Sequence, residues 1–232
     1  MSQTKYLENL LHTFGMNKCK PILTPMKKKL KFEKKGSTSK PYHKLMGCLM
    51  YVMIQTRPDL KTAVNYFNRH QSKATDDNFN HFKILLRYLK DTISFGMTYI
   101  KNNNIHPLQG FVDADFANDI NDRKSTSGYL YQVFDFTVSW FTRKQSTIAF
   151  SSTEAEYLAL ASAIQEGMWL KGLLVEMRII TDKDYILLHE DNQSCIRIAN
   201  EPKKHQRLNH LDTKYNFIHE AISTNQIKLA YV

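Results

Sequence analysis

In the stretch Thr153-Glu154-Ala155-Glu156-Tyr157-Leu158-Ala159-Leu160-Ala161-Ser162-Ala163-Ile164, helical spacing places a carboxylate on the apolar side of a helix, within its first turn. Counting on from Glu156 by three, four, seven, eight and eleven gives Ala159, Leu160, Ala163, Ile164 and Gly167, so the acid ends a stripe destined for burial. Glu154 starts a wetter series through Leu158, Ser162, Gln165 and Glu166, which predicts a solvated face for it. An acid aimed at a core needs a cation or a hydrogen-bond donor. Two readings follow for Glu156: a capping box shared with Thr153, or a ligand for a cation.

The rest of the chain must supply that cation or a reason to do without it. Net charge is +10, unevenly spread. Residues 1–100 hold 18 Lys and Arg against 6 Asp and Glu, a net of +12; residues 101–232 hold 14 against 16, a net of −2. A basic flank beside an acid-bearing domain suits a protein that holds a polyanion while carboxylates gather metal ions; a solubilising surface has the same composition. Hydrophobic residues make up 42% of the chain, enough for a substantial core. No run approaches eighteen uninterrupted apolar residues and Met1 opens a polar amphipathic segment, so neither a membrane span nor a secretory leader is expected. Cys19, Cys48 and Cys195 are too few and too scattered for a disulfide framework or a zinc cluster.

Periodicity divides the chain in two. Over residues 1–104 the expectation is a basic, mainly helical segment: a short helix over 2–14, a basic loop from Cys19 to Lys40, and helices from Pro41 to Ile54, from Pro58 through Phe67, and from Asp76 to Asp91. Arg57, Arg69, Lys83 and Arg87 are candidates for phosphate contact or plain surface cations. After Asn102-Asn103-Asn104 the pattern turns to strands at Leu108–Asp113, Gly128–Phe134 and Thr137–Arg143, expected as a meander. A long helix from Thr153 to about Met177, a buried strand over Tyr185–His189, a helix through Ile196 and Ile198, a helix over 211–223 and a last strand from Ile227 complete residues 105–232.

Three acids interrupt apolar patterns: Asp113 inside the first strand, Glu156 at the head of the long helix and Asp191 at the end of the fourth strand. Carboxylates converging from separate elements are what two Mg2+ ions need to activate a water and to stabilise the leaving oxygen of a phosphodiester. Asp115, Asp119 and Asp122 lie close in sequence, so spacing alone leaves the set open. His205 and His210 with Asp212 fit no closed zinc pattern and read as capping or surface polarity.

The order β-β-β-α-β-α with acids at these places resembles ribonuclease H, and several strings resemble its Ty1/copia-type retrotransposon branch. They are Tyr42-His43-Lys44-Leu45-Met46-Gly47-Cys48-Leu49-Met50-Tyr51, Thr56-Arg57-Pro58-Asp59-Leu60, Arg87-Tyr88-Leu89-Lys90, Asp113-Ala114-Asp115-Phe116-Ala117, Asp122-Arg123-Lys124-Ser125-Thr126-Ser127-Gly128-Tyr129, Ser152-Thr153-Glu154-Ala155-Glu156-Tyr157, Asp191-Asn192-Gln193-Ser194 and His210-Leu211-Asp212. The likeness covers nearly the whole chain. It implies an α/β fold with a ribonuclease H-like mixed five-stranded sheet flanked by helices over 105–232, and before it a segment like the connection that follows a polymerase palm.

From the resemblance, Asp113, Glu156 and Asp191 are the catalytic and metal-binding acids, holding two Mg2+ ions or Mn2+. Arg123, Lys124, Ser125 and Thr126, with Ser151, Ser152, Thr153, Asn192 and Gln193, lie where the family meets the nucleic-acid backbone, hydroxyls there suiting 2′-OH or phosphate contact. The implied reaction is hydrolysis of the RNA strand of an RNA–DNA hybrid during reverse transcription, in company with the rest of the Pol polyprotein. Location in the cytoplasm or a virus-like particle goes with it. The family has a fourth carboxylate on a helix after the last strand. If Ile227–Val232 is that strand, this sequence holds no counterpart, and the second expectation is a catalytically impaired remnant that only binds nucleic acid. The Tyr-x-Asp-Asp signature of a polymerase does not occur in the sequence, which excludes polymerisation by this chain alone.

Overall fold

The computed structural model describes residues 1–27, 37–100, 106–201 and 212–232. Part of the expected basic loop, the boundary at 104/105, and His205 and His210 lie outside the described residues. The chain forms two compact units, Met1–Thr98 and Tyr99–Val232.

The first unit is built on four helices: α1 (Thr4–Thr13), α2 (Tyr42–Gln55), α3 (Lys61–Asn68), entered through a single 3-10 turn at Pro58–Leu60, and α4 (Asp76–Asp91). Pro58 stops continuation of α2, and its fixed φ suits the new start. α4 begins at a capping box in which the Thr75 hydroxyl accepts the Asn78 N–H while the Asn78 side chain accepts the Thr75 N–H. Leu7, Leu11, Leu45, Leu49, Phe67, Phe82 and Leu85 form its core. Arg57 is 1% exposed. Its guanidinium donates to both carboxylate oxygens of Asp59 and to the carbonyl and hydroxyl of Thr92, so the structure makes this cation an internal clamp and removes it from the candidates for phosphate contact.

The second unit holds β1 (Leu108–Asp115), β2 (Thr126–Val133), β3 (Phe136–Lys144), α5 (Ser152–Glu176), β4 (Ile186–Glu190), α6 (Gln193–Asn200), α7 (Asp212–Ser223) and β5 (Ile227–Tyr231). The strands form one sheet in the order β3-β2-β1-β4-β5. β1, β2 and β3 pair antiparallel as the expected meander, while β1–β4 and β4–β5 are parallel. This is the ribonuclease H-like mixed sheet flanked by helices.

One face of the sheet carries Leu108, Val112, Tyr131, Ile186 and Leu188 into a core shared with Ala159, Leu160 and Ile164 of α5 and with Tyr215 and Ile218 of α7. α5 is long and apolar enough by composition to cross a membrane. Residues 154–161 are nevertheless all buried inside the unit. Its C-terminus is a Schellman turn with Arg178 left-handed (φ 57°); the Ile179 N–H reaches the Leu174 carbonyl and the Arg178 N–H that of Val175.

Helix and sheet approach closely at Tyr131. A Cβ on Gly110 would lie 2.6 Å from both Leu188 and the Tyr131 ring, and one on Gly167 of α5 would collide with the Tyr131 hydroxyl. That hydroxyl donates to the Ala163 carbonyl at 2.6 Å, tying β2 to the middle of α5.

Candidate metal centre

β1 alternates with its even-numbered residues buried, so Gly110, Val112 and Ala114 face α5 and Asp113 faces away, exposed. Parallel pairing of Phe111 with His189 carries Asp113 toward the turn after β4, where Asp191 stands, also exposed. Glu156 enters from the second turn of α5, 6% exposed. Carboxylate oxygens of Asp113, Glu156 and Asp191 come within 4.8 Å of one another.

The start of α5 explains why Glu156 is available. The helix is capped by Ser151, whose hydroxyl accepts the Glu154 N–H at 3.1 Å, and the Glu154 carboxylate accepts the Phe150 N–H at 3.0 Å. Capping therefore falls to Ser151 and Glu154 and not to Thr153 and Glu156. The expectation of a solvated Glu154 is corrected by the same contacts, since this residue is 4% exposed. α6 and α7 also pack against α5, and in its first turn Ser152 is exposed and Thr153 partly so, while residues 154–161 are buried.

Charge repulsion and burial act together on the cluster. Burial first, then the charges of Glu190, Asp113 and Asp191, push Glu156 up to about 8, with the Ala114 backbone opposing. Asp113 is raised by burial and by the charges of Asp191 and Asp115. Glu190, which sequence reasoning missed, is 0% exposed and is pushed up to about 7 by burial, then by Asp191 and Asp113, with the Asn192 N–H opposing. The alternation Ile186, Leu188, Glu190 along β4 was the available signal: it puts Glu190 on the face packed by α5. Glu156 Oε2 and Glu190 Oε2 are buried without a hydrogen-bond partner. An all-carboxylate donor set with orphaned oxygens fits a hard divalent cation better than zinc.

The expected backbone-contact residues separate into two groups. Ser125 is 0% exposed and its hydroxyl accepts the Ala117 N–H, holding the β1–β2 connection together. Thr126 opens β2, its N–H donating to Asp115 Oδ1. Asn192 caps α6 by accepting the Cys195 N–H, and the Ser151 hydroxyl caps α5. Arg123, Ser152 and Gln193 are exposed, and Lys124 and Thr153 partly so. Asp119 and Asp122 pair with Lys144, away from the cluster's own oxygens. A cavity of about 690 Å3 opens beside α5, lined among others by Tyr129, Phe141, Arg143, Gln145, Trp169 and Lys214. None of the three acids lines it, so it is separate from the carboxylate cluster.

No protein-family model matches the chain. The retrovirus-related Pol polyprotein from transposon TNT 1-94 of Nicotiana tabacum is 35% identical over 239 residues, an alignment covering 99% of this chain and 18% of the polyprotein. That from transposon RE2 of Arabidopsis thaliana is 33% identical over 236 residues, covering 100% of this chain and 16% of its own length. The chain thus spans less than a fifth of these relatives. Among solved structures, a foamy viral protease-reverse transcriptase in complex with double-stranded DNA aligns over 99% of this chain and 35% of its own, with TM-score 0.53 and 9% identity. The LC11 ribonuclease H1 isolated from compost aligns over 55% of this chain and 85% of its own, with TM-score 0.42 and 14% identity.

Proposed function

Since this chain belongs to the Pol polyproteins of copia-type retrotransposons, we propose that residues 105–232 act as a ribonuclease H, hydrolysing the RNA strand of an RNA–DNA hybrid during reverse transcription. The observation that carries this reading is the meeting of Asp113, Glu156 and Asp191 within 4.8 Å, from a strand, a helix and a turn far apart in sequence.

Asp113, Glu156 and Asp191 would hold two Mg2+ ions, or Mn2+ in their place. Bound there, the ions would supply an activated water and neutralise charge developing at the scissile phosphate. The protein's own part is placement: β1 and β4 fix two acids at neighbouring positions, and the capped start of α5 fixes the third. Arg123 and Lys124, with the outward hydroxyls of Ser152 and Thr153 and the amide of Gln193, are suited to the phosphates and 2′-hydroxyls of the hybrid. Attack of water on phosphorus breaks the P–O3′ bond and leaves a 3′-hydroxyl.

In the same reading, residues 1–104 are a connection-like segment whose net positive charge favours the nucleic acid, and the remainder of the Pol polyprotein is the natural partner. A second reading, binding without efficient cleavage, is favoured by one observation. Among the described residues the cluster numbers three acids, where the family resemblance calls for four. One experiment separates the two. Purified chain is incubated with a hybrid labelled on its RNA strand, with and without Mg2+, and hybrid binding is measured in parallel. Metal-dependent cleavage supports the nuclease; retained binding without cleavage supports the remnant; neither sinks both.

A further inference from the structure

β3 is an edge strand and α5 crosses the sheet over β1 and β2, so a cleft is left between the outer strands and the flank of α5. This is the cavity of about 690 Å3, a size that suits a small organic ligand. Its walls are fastened at two places. Gln145 Nε2 donates to the Ser127 hydroxyl and to the Ala155 carbonyl, both at 2.9 Å, tying the end of β3 to β2 and to α5. Further along, Glu166 of α5 accepts the Ser139 hydroxyl at 2.6 Å.

Between those ties the lining changes in a fixed order. Antiparallel pairing sets Arg143 beside Ser127, Phe141 beside Tyr129 and Ser139 beside Tyr131. Cation, rings and the carboxylate held by Ser139 therefore follow one another at two-residue steps, roughly 7 Å each. The Tyr129 and Phe141 rings stack, with centroids 5.0 Å apart and planes at 16°. Trp169, largely exposed, adds a third ring from α5, and Lys214 a second cation from α7. Among the described residues neither Arg143 nor Lys214 forms an ion pair, whereas Lys144 is neutralised by Asp119 and Asp122.

A flat ring system joined to an anion suits this lining: ring faces stack, and a guanidinium with an ammonium holds phosphate. The carboxylate at the far end can accept from the amino edge of a base. In a duplex, pairing and stacking already occupy base edges and faces, so the group must be unpaired. We propose that the cleft between β3 and α5 binds one unpaired nucleotide, its phosphate at Arg143 and Lys214, its base on Tyr129, Phe141 and Trp169, and its amino edge toward Glu166. A free nucleoside monophosphate and an unpaired nucleotide within a strand present the same chemistry. The site uses none of the three cluster acids, so it stands or falls apart from the nuclease reading.

The test uses the full chain in EDTA and reads tryptophan fluorescence, Trp140 and Trp169 being its two tryptophans. AMP, adenosine and ribose 5-phosphate are titrated in turn, then a short adenine oligonucleotide, single-stranded or paired with its complement. Expected is saturable quenching by AMP, by the single strand or by both, and none by the duplex. Where AMP binds, adenosine and ribose 5-phosphate, the latter read by competition, should each bind about tenfold more weakly. Quenching by the single strand without AMP assigns the cleft to a strand; quenching by AMP shows that a free nucleotide suffices. Trp169→Phe should abolish the quench, and Arg143→Ala should weaken binding about tenfold with the melting temperature unchanged. Lys214→Ala repeats the cation test from another element, should Arg143→Ala fail to fold. The proposal is overturned if neither AMP nor the single strand quenches, if the duplex quenches as well as the single strand, or if ribose 5-phosphate competes as an equal of AMP. A quench that survives Trp169→Phe, or an affinity unmoved by the loss of either cation, also overturns it.

Discussion

The Ser151 hydroxyl accepts the N–H of Glu154 at 3.1 Å, and these two residues between them close the start of α5. A satisfied helix end is what allows a carboxylate one step further on to face the cluster. Ser151→Ala is expected to lower stability by about 1 kcal/mol, and Thr153→Ala by less than about 0.5 kcal/mol. Urea denaturation followed by circular dichroism measures both. A larger loss from the threonine would contradict the assignment of the cap.

Asp191 stands at the exposed edge of the cluster, where substitution leaves the core untouched. Asp191→Asn should fold normally and reduce Mg2+-dependent hybrid cleavage by at least about a hundredfold. Cleavage that survives the change points to another site or a contaminant.

Protonation of the ion-free cluster gives a stability profile of definite sign. Glu156, pushed up to about 8, and Glu190, up to about 7, hold protons in the folded protein that the unfolded chain gives up near the ordinary glutamate value of 4.5. Their contribution is complete below that value and is lost as pH rises through 7 to 8. In EDTA the melting temperature should fall between about pH 5 and about pH 8.5, and added Mg2+ should restore more of it at the higher pH. A melting temperature that is flat or rising over this range would refute the account.

Arg57 of the first unit is enclosed with Asp59 at 2.7 Å and with the rings of Tyr88 and Phe95 at 5.7 and 5.6 Å. Asp59→Ala strands a guanidinium and should cost about 3 kcal/mol. Arg57→Lys keeps the charge but loses the fork that reaches Asp59 and Thr92 together, so it too should destabilise. Denaturant midpoints of the full chain decide it; a neutral Asp59→Ala would mean that the clamp contributes nothing.

Gly167→Ala pushes a methyl group into the Tyr131 hydroxyl and should cost about 1–3 kcal/mol. The double change with Tyr131→Phe should recover part of the loss, and an additive result in a thermal denaturation cycle would show that the two do not meet.

Most of the architecture was legible because the elements obey simple periods. α4 runs from Asp76 to Asp91 as its spacing implies, and the three strands of the meander fall within two residues of their expected bounds. The three acids were legible for the opposite reason: each breaks such a period. What was not legible depends on residues distant in sequence. Counting along α5 misplaced Glu154, because its carboxylate turns back to accept the Phe150 N–H, a contact that a helical wheel does not contain. Glu190 was hidden by a hydrophobic run taken to end at His189. Arg57 looked like a surface cation because one of its partners, Thr92, lies 35 residues away. The β2–β3 turn gave no glycine or asparagine signal, although Phe134 and Asp135 both adopt positive φ, 49° and 65°.

Tyr131 lodges between two residues without side chains, and the thickness of that ring sets how far the middle of α5 stands off the sheet. Glu156 lies eleven positions earlier on the same rigid rod, roughly 16 Å away at 1.5 Å per residue. A bulkier or thinner filler at the fulcrum would tilt the rod and swing the acid away from Asp113 and Asp191. Alignment of the cluster is thus set at a distance, by a phenol that touches none of its members.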